Sequence, residues 1–233
     1  MSPSSTRLKN LQSTQQKSRK SDTTRSRLLK AASEIFADVG YDATTTREIC
    51  VKAGANAAAI NYHFGDKLGL YAAVLQDIIG PGSVRVHEEA MPQTKPELAL
   101  RQFIDAMFEN LFSTGSADQY SRIMVHELSS PTPALAQVVE RIIRPRAKLL
   151  SELVFRYTGQ ASSSLETRLA VHSVIGQVIH YVHARAVIKM MWPTWNFDAA
   201  MRKRIVDHIT EFSLAGLRHM KRPAARSRSK KRR

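Results

Sequence analysis

Four side chains within residues 61–67 concentrate the chemistry of this sequence: Asn61, Tyr62, His63 and Lys67. A carboxamide donates and accepts at once, which matches the paired donor and acceptor on an adenine edge. A phenol, an imidazole and an ammonium can each donate to a phosphate oxygen. Thr46 and Arg47, a little upstream, suit phosphate or base-edge contacts. The groups needed for covalent or metal chemistry are missing. There is no Glu-x-x-His pair and no Gly-x-Ser-x-Gly nucleophile turn. The one cysteine, Cys50, cannot form an internal disulfide, and no Cys-x-x-Cys spacing offers a metal site. Nothing in the sequence calls for a cofactor.

The elements that must hold these side chains are short helices. Leu28, Ala32, Ile35, Phe36 and Val39 recur at helical spacing and predict an amphipathic helix over 23–39, ended by Gly40 as a left-handed cap. Thr45-x-x-Glu48 has capping-box form and starts a second helix, closed by Gly54. Asn56 is an N-cap for a third, ending near His63. Gly65-Asp66 breaks and re-caps into a fourth helix over 67–79. Helices two and three, joined by a tight turn, have the layout of a helix-turn-helix. In that arrangement the second member lies in the DNA major groove. Ile60 is expected to face inward with Phe64, Ile49 and Ala53. Ala57, Ala58 and Asn61 are expected to face the groove. Two helices about a glycine also occur in plain bundles, where Tyr62 and His63 would simply pack.

Charge supports a polyanionic partner. The net charge is +15 over 233 residues. Residues 1–27 contribute +6 and residues 218–233 contribute +9, while 28–217 carry 19 basic and 19 acidic residues. Basic ends suit DNA phosphates through counterion release, or serve as solubilising tails. Residues 1–22 and 221–233 are too poor in apolar groups to order themselves and are expected to be disordered. No secretory leader and no run of about 18 apolar residues is present, so a cytoplasmic, nucleoid-associated protein is expected.

Residues 23–75 resemble the DNA-binding domain of the TetR family of bacterial transcription regulators. The resemblance rests on Phe36, Gly40, Tyr41, Thr44-Thr45, Arg47-Glu48-Ile49, Ala53-Gly54, and Asn61-Tyr62-His63-Phe64 followed by Lys67. The stretch Ala59–Leu75 is similar to the CecR-like branch. That likeness continues through Glu127, Pro131-Thr132-Pro133-Ala134, Ile143-Arg144-Pro145-Arg146, Val174–Val178, His208-Ile209, Phe212 and Gly216-Leu217. It implies DNA contacts from Thr46, Arg47, Asn56, Ala57, Ala58, Asn61, Tyr62, His63 and Lys67. Many members carry Ser and Lys where this chain has Asn56 and Ala57. Base preference here must lean on Asn61, on methyl contacts and on DNA shape.

Beyond Gly80-Pro81-Gly82 the pattern stays helical, with no strand alternation, so the fold is read as all-α with about nine helices. A seventh helix beginning at Pro133 contains Pro145 and is expected to kink there. The eighth, from Ser163-x-x-Glu166 to Met191, is apolar nearly all round, and Trp192-Pro193 stops it. The resemblance implies that this region, 67–220, binds a small-molecule effector and dimerises, with residues 23–66 as the DNA-binding head. Candidate ligand contacts are Phe103, Met107, Phe108, Met124, Gln177 and Tyr181; core packing is an equal reading of each. Candidate dimer contacts are His172, Gly176, His180, His183, Ile205, Ile209 and Phe212. His180 and His183 share a helix face, but no carboxylate or cysteine stands at a matching offset on this helix to complete a metal site. The expectation is a dimeric regulator, a repressor on a palindromic operator released by an effector, with no catalytic residue. The competing readings are a non-specific DNA-binding protein using its basic ends and a helical-bundle metal enzyme.

Overall fold

A computed structural model describes residues 22–80, 94–112 and 118–221 with their side chains. Among the described residues the regular structure is entirely helical. Of the arm expected to be disordered, 1–22, residues 3–22 belong to the backbone of the first helix, with side chains described only from Asp22; of the tail, 221–233, only Lys221 is among the described residues. The helices are α1 (Pro3–Ala43), α2 (Thr46–Ala53), α3 (Ala58–Phe64), α4 (Lys67–Ile79), α5 (Pro96–Phe112), α6 (Ala117–Ser129), α7 (Pro133–Val138), α8 (Arg144–Thr158), α9 (Leu165–His183), α10 (Arg185–Met191) and α11 (Ala199–His219).

Two compact units are formed. The first takes Met1–Gly80 with Gly115–Ile142, and the second takes Pro81–Thr114 with Ile143–Arg233. Packing therefore groups α4, α6 and α7 with the head, whereas the domain boundary expected from sequence falls at 66/67. The reason is hydrophobic. Leu70, Tyr71, Val74 and Leu75 of α4 are buried in one core with Leu28 and Phe36 of α1, Ile49 of α2 and Ile60 of α3. Phe36 meets Tyr71 edge-on at 4.6 Å between ring centres, and Tyr41 adds a third ring 5.0 Å from Tyr71. Each large side chain buried this way contributes roughly 1.5–3 kcal/mol.

Two punctuation marks differ from expectation. Gly40 has φ 77° and ψ 178°, so it kinks α1 rather than closing it as a left-handed cap; the helix resumes to Ala43. Thr44 then donates its hydroxyl to the Gly40 carbonyl at 2.6 Å. Pro145 acts four residues ahead of itself. Its ring crowds the carbonyl of Arg141, and residues Val139–Ile143 widen into a π turn between α7 and α8. At the far end of α10, Trp192 precedes Pro193 and is forced out of helix, with φ −132° and ψ 84°.

In the second unit, α9 buries a single stripe, Val171, Val174, Val178 and Val182. Leu165 and Leu169 on another side are 63% and 59% exposed. An apolar helix thus uses only one face within its own unit. Arg101–Asp207 at 2.6 Å and Arg202–Glu109 at 2.9 Å pin α5 to α11.

Candidate nucleic-acid interface and ligand pocket

The reading head is set by local hydrogen bonds. Glu48 N–H donates to Thr45 Oγ1 at 3.2 Å, and Thr45 N–H donates to Glu48 Oε2 at 2.9 Å, completing the capping box of α2. The Thr45 hydroxyl, donating to Glu48 Oε2 at 2.8 Å, and then the Thr45 N–H hold the Glu48 carboxyl below its ordinary pKa. Gly54, at φ 58° and ψ 43°, closes α2 in the left-handed conformation and turns the chain into α3. Asn56 Oδ1 accepts from Ala58 N–H at 2.9 Å in a turn just ahead of α3, whose N-cap position is Ala57 rather than the expected Asn56; the Asn56 NH₂ group is left for any DNA contact. Asp66 caps α4 by accepting from Gly69 N–H at 2.7 Å.

Ile60, Ile49 and Ala53 are buried, and Phe64 is half-buried beneath the Arg25 guanidinium, 5.1 Å from its ring centre. With these turned inward, α3 exposes Ala57, Ala58, Asn61 and Tyr62 together. Tyr62 is 80% exposed, its ring held only by an edge contact with His63 at 4.8 Å. Thr46 and Arg47 are exposed at the start of α2. His63 and Lys67 are half-buried at the rim. The Lys67 ammonium sits 4.4 Å from the Tyr41 ring centre and donates to the Asp42 carbonyl at 3.4 Å. An ammonium has three donors, so this anchoring leaves it able to reach a phosphate. The exposed face of α3 is uncharged and donor-bearing, with methyls beside a carboxamide, and Arg47 adds a cation at the start of α2. That combination suits base edges and phosphates.

Two positioning residues escaped the sequence reading. A Cβ at Gly69 would run into the Phe64 carbonyl oxygen. Only glycine lets the first turn of α4 lie against the end of α3. The available signal was a glycine inside a helix, where it costs about 1 kcal/mol and so wants a reason. Arg25 is the other, clamping Phe64 from α1.

Elsewhere in the same unit, Glu127 of α6 is 1% exposed. Its carboxylate accepts from Thr132 N–H at 3.1 Å, from Thr132 Oγ1 at 2.9 Å and from the Tyr71 hydroxyl. Burial, then the adjoining carboxylate, pushes the Tyr71 phenol far above its ordinary pKa, so it remains a donor. Next to it, His126 packs its ring where a Cβ on Gly40 would stand, 3.1 Å away. Arg122 pairs with Asp38 at 2.6 Å.

In the second unit a cavity of about 440 Å³ opens between α9, α10 and α11. Gln177 and Tyr181 line it, with Gly176, His180, Ile188, Trp192, Trp195, His208 and Ile209. The other ligand candidates do not. Phe103 and Phe108 are buried, Phe108 stacks on Phe112 at 4.4 Å, Met107 is off the lining, and Met124 belongs to the other compact unit. Helical spacing grouped them by face without showing which faces meet. Of the dimer candidates, Ile205 and Ile209 are 4% and 0% exposed, covered by their own protomer. A partner cannot cover them again. His172, Gly176, His180 and Phe212 are exposed and His183 is half-buried. Among the described residues, no group of three or more His, Cys, Asp or Glu is gathered as a metal site. No helix among them is long and apolar enough to cross a membrane.

Comparison with known proteins bears on both parts. Residues 28–74 match the model of bacterial regulatory proteins of the tetR family. Residues 96–217 match the C-terminal domain of the HTH-type transcriptional dual regulator CecR. The chain is 31% identical over 202 residues to the HTH-type transcriptional dual regulator CecR of Shigella flexneri, covering 82% of this chain and 90% of that protein. It is 31% identical over 134 residues to the HTH-type transcriptional repressor BepR of Brucella suis biovar 1, covering 55% and 61%. Among solved structures, the fold is like that of FadR from Bacillus subtilis in complex with stearoyl-CoA, with TM-score 0.61, 18% identity and 82% and 97% coverage. It is also like PfmR from Thermus thermophilus, with TM-score 0.59, 19% identity and 81% and 97% coverage. With an exposed helix-turn-helix followed in the chain by a CecR-type domain, the protein belongs to the TetR family of bacterial transcription regulators, which bind DNA and are not enzymes.

Proposed function

We propose that this regulator is a dimeric repressor that binds a palindromic operator in the cytoplasm and is released by a small molecule. The observation that carries the reading is the exposed face of α3, where Asn61 and Tyr62 stand clear of any packing role. Asn61 is the base reader, with Ala57 and Ala58 offering methyl contacts. Thr46, Arg47, Tyr62, His63 and Lys67 hold phosphates, and Asn56 adds its NH₂ group.

The second copy covers the open face formed by the first half of α9 and the second half of α11. Leu165, Leu169, His172 and Phe212 lie exposed there, beside a shallow groove floored by Ala170, Ser173 and Gly216. An isologous two-fold contact sets two reading heads about one helical turn apart on DNA. The effector acts by binding the DNA-incompetent state more tightly than the competent one. The proposed lever is α4, which follows α3 directly and whose Tyr71 is held by Glu127.

Genome-wide mapping of bound DNA tests the reading. It is expected to return one palindrome overlapping promoters. Bound sites without a shared sequence would favour the non-specific alternative.

A further inference from the structure

The cavity in the second unit has a composition that selects its guest. Three of its walls are aromatic and nearly parallel. Trp195 stacks with Trp192 at 5.3 Å and 24°, and with Tyr181 at 6.5 Å and 15°. The remaining walls are Ile188 and Ile209. Its polar groups are mostly donors: two indole N–H groups, the Tyr181 phenol, and the imidazoles of His180 and His208. Burial raises the Tyr181 pKa, so it stays a neutral donor at physiological pH. The Gln177 amide nitrogen is already engaged, by the Ser173 carbonyl at 3.1 Å and Ser213 Oγ at 3.3 Å. None of the described lining residues is Asp, Glu, Lys or Arg.

Chemistry narrows from there. An organic cation would enjoy the ring faces but would find no carboxylate among the described lining residues. A saturated chain would fill the volume and forgo the stacking. A flat ring bearing an acceptor or anionic group uses every wall. The volume is within the range of drug-sized ligand sites.

We infer that this cavity is a binding site for planar aromatic acids, with the ring joining the Trp192–Trp195–Tyr181 stack and the carboxylate meeting His180 and His208. The inference rests on the reading of the chain as an effector-controlled regulator and adds the site and the class of effector.

The chain has two tryptophans, and both line this cavity, so tryptophan emission reports on it directly. The test uses the full chain with 2-naphthoate, its saturated analogue decahydro-2-naphthoate, and the cation trimethylphenylammonium. Binding is measured by calorimetry and by emission. One naphthoate per chain is expected, about tenfold or more tighter than the saturated acid, given two ring contacts. Trp192→Ala, at a half-exposed position that the core does not need, is expected to remove most of that preference. His208→Ala, also exposed, is expected to weaken naphthoate more than a neutral naphthalene. Equal affinity for the saturated acid, tighter binding of the cation, or no effect of Trp192→Ala would overturn the inference. So would an emission change that follows protein concentration and ignores naphthoate, which would give the cavity to a second copy. Operator affinity is measured in parallel. Naphthoate binding that leaves operator affinity unchanged keeps the site and removes the effector reading. No naphthoate binding with intact operator affinity removes the site and keeps the regulator.

Discussion

In the proposed reading, Asn61, Tyr62 and Lys67 divide the work of DNA recognition among one base reader and two anchors. Asn61→Ala is expected to relax base preference at one position of each half-site by about 1–3 kcal/mol. Tyr62→Ala and Lys67→Ala are expected to weaken all sequences alike, and Lys67→Ala to lower the salt slope by about one charge. Binding titrations against a set of single-base operator variants, repeated at several salt concentrations, check both. Gly69 carries a different kind of residue-scale claim. Gly69→Ala is expected to push α3 off α4 and lose binding to every sequence while the second unit stays folded. Amide exchange confined to the head would show it; a full-affinity Gly69→Ala would contradict the close approach. His183 gives a pH signature. Burial holds its pKa below the free value of 6.5. The unfolded chain therefore takes the proton first, so unfolding is favoured in acid. The stability due to neutral burial is complete above about 6.5 and is lost as pH falls through that value toward the folded one. Between pH 7.5 and 5.5 the Tm of His183→Gln is expected to fall less than that of the native chain.

At the scale of elements, the Tyr71–Glu127–Thr132 network joins α4, α6 and the start of α7. Glu127→Ala leaves a phenol, a hydroxyl and an amide without their acceptor and is expected to cost about 3 kcal/mol. Tyr71→Phe removes one donor and is expected to cost about 1 kcal/mol. Urea unfolding followed by helix signal measures both; near-equal costs would show that the carboxylate does not organise the network. The short helices of the head were legible because their boundaries are chemical: Thr45 and Glu48, Gly54, Asp66. Apolar periodicity placed one helix up to Met191, which the structure breaks at Ala184 into α9 and α10, and it could not say which face stays uncovered. Ile205 and Ile209 looked like interface residues and proved to be core, because helical spacing marks a face and not its neighbour. In the sequence Trp192 figures only as part of the Trp192-Pro193 stop signal, and Trp195 carries no signal. The place of both indoles in the cavity depends on α9 and α11 converging on them, a non-local fact absent from any window of sequence.

The whole molecule combines a neutral globular part with basic ends, and two compact units that exchange chain segments at 80/81, 114/115 and 142/143. The last crossing falls inside the π turn ahead of Pro145. If the basic ends touch DNA, they raise affinity for any sequence, and that gain falls with salt; as solubilising tails they leave the salt slope unchanged. In the proposed reading, specificity then comes from Asn61, the methyls of Ala57 and Ala58, and DNA shape. Relatives include a dual regulator and a repressor, so family membership settles the DNA target class while the direction of control depends on operator position. The most direct measurement is an equilibrium titration of the purified chain against its mapped palindrome and a scrambled duplex of equal length, at about 0.15 M salt. The account predicts about a thousandfold or greater preference for the palindrome, with two chains per duplex. Equal affinities for the two duplexes would contradict it.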